Sequence, residues 1–408
     1  VPAVIVSAAV GVFTYIPDFL APRSTTWVAG VLFTLLFVMI LALYRRPPRW
    51  PAVTISLALF WVVVFVGGVR YGTGLDYTET AFTLAMVASL SAVVSTFDRR
   101  DVGILVGGIL VVCGIQLAFA VAETFLGLSA PRGYGTRSGS TFDVNELLPW
   151  TGRAPGTFGH AIPLGLFMAV AALLVLFHLR RLRLSVRIGM AALFVLGLML
   201  SGTRSALLSV VIALLFGLCS SRLTRHYLAW RLATCLAALG FGVFSGVSEL
   251  VSSLGLEGTG SLDHRLAALD ALDKLFGRSV PELLFGSGAG SISRLFDLGL
   301  LQTDNFTAVD NQWVTLFALG GFVGVGCVVG ALVASFRGIP PTVRPALISM
   351  FLMFFSFDLF DRLSTLVLFV AILGCGSLGR WRAEEEDRRP APGAAGSPEV
   401  PVGGTRGR

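Results

Sequence analysis

The chain has 408 residues, of which 55% are hydrophobic and only 13% charged, with a formal net charge of +7. Soluble domains carry roughly 25% charged residues, so the composition excludes an ordinary globular core and fits a chain dissolved in lipid. The positive balance is no nucleic-acid footprint, because the basic residues stand in short clusters between apolar runs, as topogenic charge does.

Lipid cannot satisfy free backbone groups, so helices are expected; the alternating strands of a β-barrel are absent. Apolar runs of the length that crosses a bilayer recur along the chain. In order they predict spans at 3–20, 27–44, 51–69, 78–96, 102–127, 159–178, 186–202, 205–221, 231–253, 311–336, 343–360 and 363–379. The fold class expected is therefore all-α, a polytopic bundle of about twelve transmembrane helices over residues 1–379. Val1 opens inside an apolar stretch without a cleavable signal pattern, so the first span is expected to be retained. Residues 380–408, rich in Pro, Gly and charge, read as a disordered tail.

Alternating the spans across the membrane divides the basic residues 20 to 11 between the two sides. The richer side is expected to be cytoplasmic, with both termini there. Two long connections, 128–158 and 254–310, then fall on the other face, and loops of that length usually carry function. Within the second, Ser261 is placed to cap a helix over 262–276, with Leu266, Leu269, Leu272 and Phe276 as its apolar stripe and Asp270–Lys274 as an i,i+4 pair. Gly277 and Pro281 end it. GSGAGS at 286–291 lacks the Lys-Ser/Thr end of a nucleotide loop and reads as a tight turn after that helix.

Arginine on the translocated face runs against topology, so Arg153, Arg204 and Arg265 each need a reason. One is headgroup contact by snorkelling; the other is recognition of phosphate by guanidinium at the membrane boundary. Asp310 stands at the head of the tenth span, where it would cap the helix or serve as a general base. Asn311 and Gln312 are placed to hold a sugar or to orient Asp310. His160 and His264 are the two histidines on this face, either bases or hydrogen-bonded loop residues. Asp358, Asp361 and Arg362 crowd the last turn on the same side, as an ion pair or as lining of the same cavity. The five cysteines fall within apolar runs and read as packing residues; no metal-ligand spacing occurs.

Four stretches carry a resemblance: RAPGTFGHAIPLGLFMAVAALLVL from Arg153, LMLSGTRSALLSVVIALL around Arg204, RLAALDALDKLFGRSVPELLFGSGAGS from Arg265, and DNQWVTLFALGGFVGV from Asp310. In order and topology they resemble the O-antigen ligase/polymerase family of bacterial envelope glycosyltransferases, over roughly residues 150–335. His160 stands where an Asn is common, and Asp310 where ligase members carry a catalytic His. The resemblance implies a GT-C-like fold in the bacterial inner membrane. It implies transfer of a glycan from an undecaprenyl-pyrophosphate donor to an acceptor hydroxyl of a glycan or glycolipid, by an inverting mechanism without metal or other cofactor. It also implies that Arg204 and Arg265 bind the donor pyrophosphate. The Asp at 310 favours a polymerase, or a ligase with a different acceptor. The rival expectation is a transporter or flippase, which would place Gly/Pro helix breaks near mid-membrane in two related halves.

Overall fold

The computed structural model describes residues 1–15, 23–43, 51–69, 74–128, 145, 147–220, 260–302 and 309–376, with backbone alone at 23–27, 51, 74–76, 219–220, 260–266 and 269. These residues form helices and turns, with no strand among them. The expected span at 231–253 and the tail at 380–408 lie outside the described residues.

The helices before the long second loop are α1 (Pro2–Tyr15), α2 (Arg23–Leu43), α3 (Pro51–Gly68), α4 (Gly74–Ser95), α5 (Arg99–Leu126), α6 (Ala161–His178), α7 (Leu184–Ser201) and α8 (Arg204–Ser220). The loop contributes α9 (Gly260–Phe276), α10 (Val280–Phe285) and α11 (Ser291–Asp297). Three helices follow: α12 (Gln312–Gly338), α13 (Arg344–Met353) and α14 (Leu363–Gly374). Among the described residues, five helices (within α4, and α5, α6, α7 and α12) are long and apolar enough to cross a membrane. Six shorter apolar helices stand where other spans were expected.

Two helices are apolar on every side, and both are internal. α6 is buried from Ala161 through Val175, and α14 from Ser364 through Gly374. A helix without a polar face has no surface to give to water and is placed inside a bundle or in lipid. Here α5, α7, α8 and α13 surround α6, while α1, α4, α12 and α13 surround α14. One continuous apolar core joins them. Helix ends follow the local chemistry: Asp98 caps α5, and Asp101 returns the bond to complete a capping box.

Three departures from the sequence reading stand out. The span expected at 343–360 ends at Met353, because residues 354–362 fold into turns that carry Asp358 and Arg362. Among the described side chains of α9 the buried ones are Ala268, Ala271 and Leu275, and the side chains of Leu266 and Leu269 from the expected stripe lie outside the described residues. Leu272 is only partly buried, and Phe276 is half exposed. Lys274 donates to Leu301 O (3.3 Å) rather than pairing with Asp270. Finally, α12 is broken at Gly321 (φ 59°, ψ −158°), about 14 Å along the helix from Gln312 at 1.5 Å per residue. The apolar run predicts one span over 311–336 without this break.

Candidate active site

The ends of α1, α5, α7 and α13 meet the beginnings of α6, α8, α12 and α14 at one end of the bundle. A 3-10 turn, Gly156–Phe158, leads into α6 there. It is fixed by two helices, α5 and α1. Gln116 of α5 accepts from Thr157 N (3.0 Å) and donates to Thr157 Oγ1 (2.6 Å). Thr157 Oγ1 donates to Thr14 O at the end of α1 (2.9 Å), and Glu123 accepts from Gly156 N (3.2 Å).

The turn between α7 and α8 is held against this segment. Thr203 Oγ1 donates to Ala161 O (3.3 Å), and Arg153 Nε donates to Ser201 O (3.1 Å). Asn145 is fully buried; its amide donates to Met199 O (2.9 Å) and Leu200 O (3.1 Å), while its oxygen accepts from Leu147 N and Leu148 N (3.0 Å each). One side chain thus ties the first long loop to the turn that sets Arg204 at the first position of α8. Ser205, the next residue, has a buried hydroxyl without a hydrogen-bond partner.

His160 is the N-cap of α6, and its Nδ1 accepts from Ile162 N (3.2 Å). Burial, reinforced by Arg362 and Arg153, pulls its pKa down to about 3. The ring is therefore neutral near pH 7, and with Nδ1 accepting from Ile162 N its proton is on Nε2. Arg362 Nη1 donates to Phe158 O (3.1 Å), which brings the 354–362 turn onto the same segment.

That turn also grips the head of α12. Gln312 N donates to Phe354 O (2.8 Å), and Gln312 Oε1 accepts from Phe360 N (2.9 Å). Asp358 accepts from the same Phe360 N (3.0 Å) and from Asp361 N (3.2 Å). Burial and the neighbouring Asp361 carboxylate push Asp358 up to about 7, against the lowering effect of a hydrogen bond from Thr315. Asn311, not Asp310, caps α12: its oxygen accepts from Trp313 N (3.0 Å) and Val314 N (3.3 Å). Asp310, immediately before the cap, is half-buried and does not serve as the cap itself. The Gln312 Nε2 donor is buried without a partner.

The structure therefore brings Arg153, His160, the Arg204 turn, Arg362, and the Asp310–Gln312 segment to one end of the bundle. The side chains of His264 and Arg265 lie outside the described residues, although both stand in the first turns of α9. Asn145, Gln116, Glu123 and Asp358 complete the setting; only Asp358 was singled out in the sequence. Buried polar residues within apolar runs were the signal for Gln116 and Glu123. Among the described residues no three His, Cys, Asp or Glu side chains are grouped as a metal site requires.

The helical bundle and this cationic rim define a polytopic membrane protein whose polar chemistry is concentrated at one end. Residues 189–329 match the family model described as Wzy_C, O-antigen ligase, a segment running from α7 through the broken part of α12. Over this segment the chain is similar to the O-antigen ligase family, and the match takes in the three motifs around Arg204, Arg265 and Asp310. No curated protein matches the chain.

Proposed function

We propose that this chain is a GT-C-type glycosyltransferase of the bacterial inner membrane. It transfers a glycan from undecaprenyl pyrophosphate to an acceptor hydroxyl on the non-cytoplasmic face, as a polysaccharide polymerase or an O-antigen-ligase-like enzyme. The match of residues 189–329 to the O-antigen ligase model supports ligase-like glycan transfer. The observation that carries the finer reading is the convergence of the Arg204 turn, Arg153 and Arg362 on the heads of α6, α8 and α12.

A pyrophosphate leaving group gathers negative charge as the anomeric bond breaks. Guanidinium groups fixed beside helix N-termini stabilise that charge without reorganising. In this reading Arg204 and Arg265 hold the diphosphate, and Arg153 and the Nε2–H of His160 contact the headgroup. Asp310 removes the acceptor proton as the hydroxyl attacks the anomeric carbon in line, with inversion. Gln312 and His264 contact sugar hydroxyls. Asn311 holds the head of α12 through its cap, and so holds Asp310. The charge bias of the connections supports placing this end away from the cytoplasm, with both termini inside.

The test is transfer by the purified chain in lipid nanodiscs, supplied with an undecaprenyl-pyrophosphate-linked glycan and no added metal. A ladder of glycan lengths from the donor alone marks a polymerase; a single transfer to an added glycolipid marks a ligase. Absence of transfer under both conditions would remove the proposal.

A further inference from the structure

The break in α12 creates a problem that one side chain solves. The segment 312–320 is in effect a separate short helix, and the last carbonyls of any helix have no partner within it. Here Ala318 O accepts from Ser287 N (2.9 Å) and Leu319 O from Gly288 N (2.9 Å). Arg278 adds further donors: Nη2 donates to Phe317 O (3.0 Å), and Nη1 to Ala318 O (3.1 Å) and Ser287 Oγ (3.0 Å). Its Nε donates to Leu275 O (3.0 Å), in the last turn of α9. The guanidinium also lies over the Phe317 ring, 5.3 Å from its centroid. Arg278 is only 8% exposed. A single cation thus caps the C-terminal turns of two helices, where the helix dipole favours positive charge.

The segment around it leaves no slack. Ala289 N donates to Val64 O near the end of α3 (2.9 Å). A Cβ on Gly288 (φ 75°) would run into the backbone of Gly67 and Gly68, and one on Gly321 would meet Leu283 O. The Gly-rich stretch is therefore more than the tight turn its sequence suggests, because it seats between α3 and the break in α12. The two helices that Arg278 joins carry different halves of the proposed site: α9 bears Arg265, and the first segment of α12 follows directly on Asp310.

We propose, resting on the function above, that Arg278 is a positioning residue for glycan transfer: it fixes α9 against the first segment of α12 and so sets the donor-binding loop relative to Asp310. A lysine cannot replace it, because a single ammonium does not present the planar fork that reaches both helix ends.

The experiment uses the full chain in nanodiscs, with Arg278→Ala and Arg278→Lys compared to the parent. Misplacing reacting groups lowers turnover far more than binding, so turnover in Arg278→Ala should fall roughly tenfold to a hundredfold while the donor KM changes less than about threefold. Millimolar guanidinium should restore several-fold of the lost turnover in Arg278→Ala and leave the parent unchanged. Hydrogen exchange should show faster exchange at residues 286–289 in both variants. A folded variant with parental turnover and parental exchange overturns the proposal. So does a loss expressed mainly in donor KM without guanidinium rescue, which would mark a direct binding residue. If Arg278→Ala does not fold, Arg278→Lys is judged by the same turnover, KM and exchange criteria. If the parent itself transfers no glycan, the function fails rather than this inference; unchanged exchange at 286–289 would then overturn the fastening and accelerated exchange would support it.

Discussion

Two polar regions are buried in this apolar protein, and they treat their hydrogen bonds differently. Around Arg278, the guanidinium donates to four groups, three of them carbonyls in the last turns of two helices. At the rim formed by the heads of α6, α8 and α12, several buried atoms have no partner, among them Ser205 Oγ, Gln312 Nε2 and Glu123 Oε1. An unpaired buried polar group costs about 1–3 kcal/mol. The Arg278 knot is thus a closed set of bonds, whereas the rim carries open ones beside the residues of the proposed site.

The largest expected effect breaks the rim. Arg204→Ala should reduce glycan transfer by at least about a hundredfold, the loss seen when a donor to a developing anion is removed, with normal protein level in the membrane. Transfer at the parental rate in the purified assay would take Arg204 out of the mechanism. Next comes Asp310→Asn. Removing a general base lowers turnover about a hundredfold at the lower end of the usual range, and the side chain keeps its size, so the fold should be unaffected. If Asp310→Asn is as active as the parent while Asp358→Asn is not, the proton acceptor is on the 354–362 turn.

How far these two regions were legible differs for the same physical reason. The rim was largely readable, because charged residues at apolar boundaries are costly and stand out: Arg153, Arg204, Asp310 and Arg362 were all named from sequence, and the structure gathers them at one end. The Arg278 knot was not. Arg278 stands in the same loop as Arg265 but just past the Gly277 that ends the expected helix, and most of its partners are backbone carbonyls, which leave no mark in sequence. The break at Gly321 was equally hidden, since a Gly-Gly pair within an apolar helix is ordinary close-packing material until a second segment is seen to fill it. Apolar periodicity located most helices to within a few residues. It failed at 354–362, where Phe355, Phe357 and Phe360 continue the apolar run while the backbone turns.

Smaller effects separate scaffold from chemistry within the rim itself. Asn145→Ala removes the acceptor of both Leu147 N and Leu148 N at a buried position, while Leu200 O keeps its bond from Ala154 N. It should lower stability by roughly 2–3 kcal/mol, read as a lower midpoint in thermal unfolding, while the donor KM of the folded fraction stays unchanged. A rise in KM without loss of stability would instead make Asn145 part of the binding surface. His160→Asn keeps an acceptor at the N-cap of α6 and should be close to neutral in stability, whereas His160→Ala should cost about 1 kcal/mol.

The weakest effect is in the pH dependence of stability, and it also sets two parts of the rim against each other. His160 has a folded pKa near 3, below its unfolded value of about 6.5, so the unfolded chain binds the proton more readily. Its contribution is present above about pH 6.5 and lost as pH falls toward the folded value. Asp358 has a folded pKa near 7, above the unfolded value of about 3.9, so the folded chain holds the proton. Its contribution is complete at low pH and lost as pH rises through about 7. Between about pH 4 and 6.5 the two slopes oppose, and the parent should show a shallow profile there. Asp358→Asn uncovers the histidine, so that protein should gain stability from pH 5 to pH 6.5. His160→Asn uncovers the aspartate, so that protein should lose stability over the same interval. Thermal unfolding at half-unit pH steps measures both. Profiles parallel to the parent in both variants would mean that neither group is held in the buried, cation-flanked or carboxylate-flanked setting described, and the convergence of the 354–362 turn on the head of α6 would fall with them.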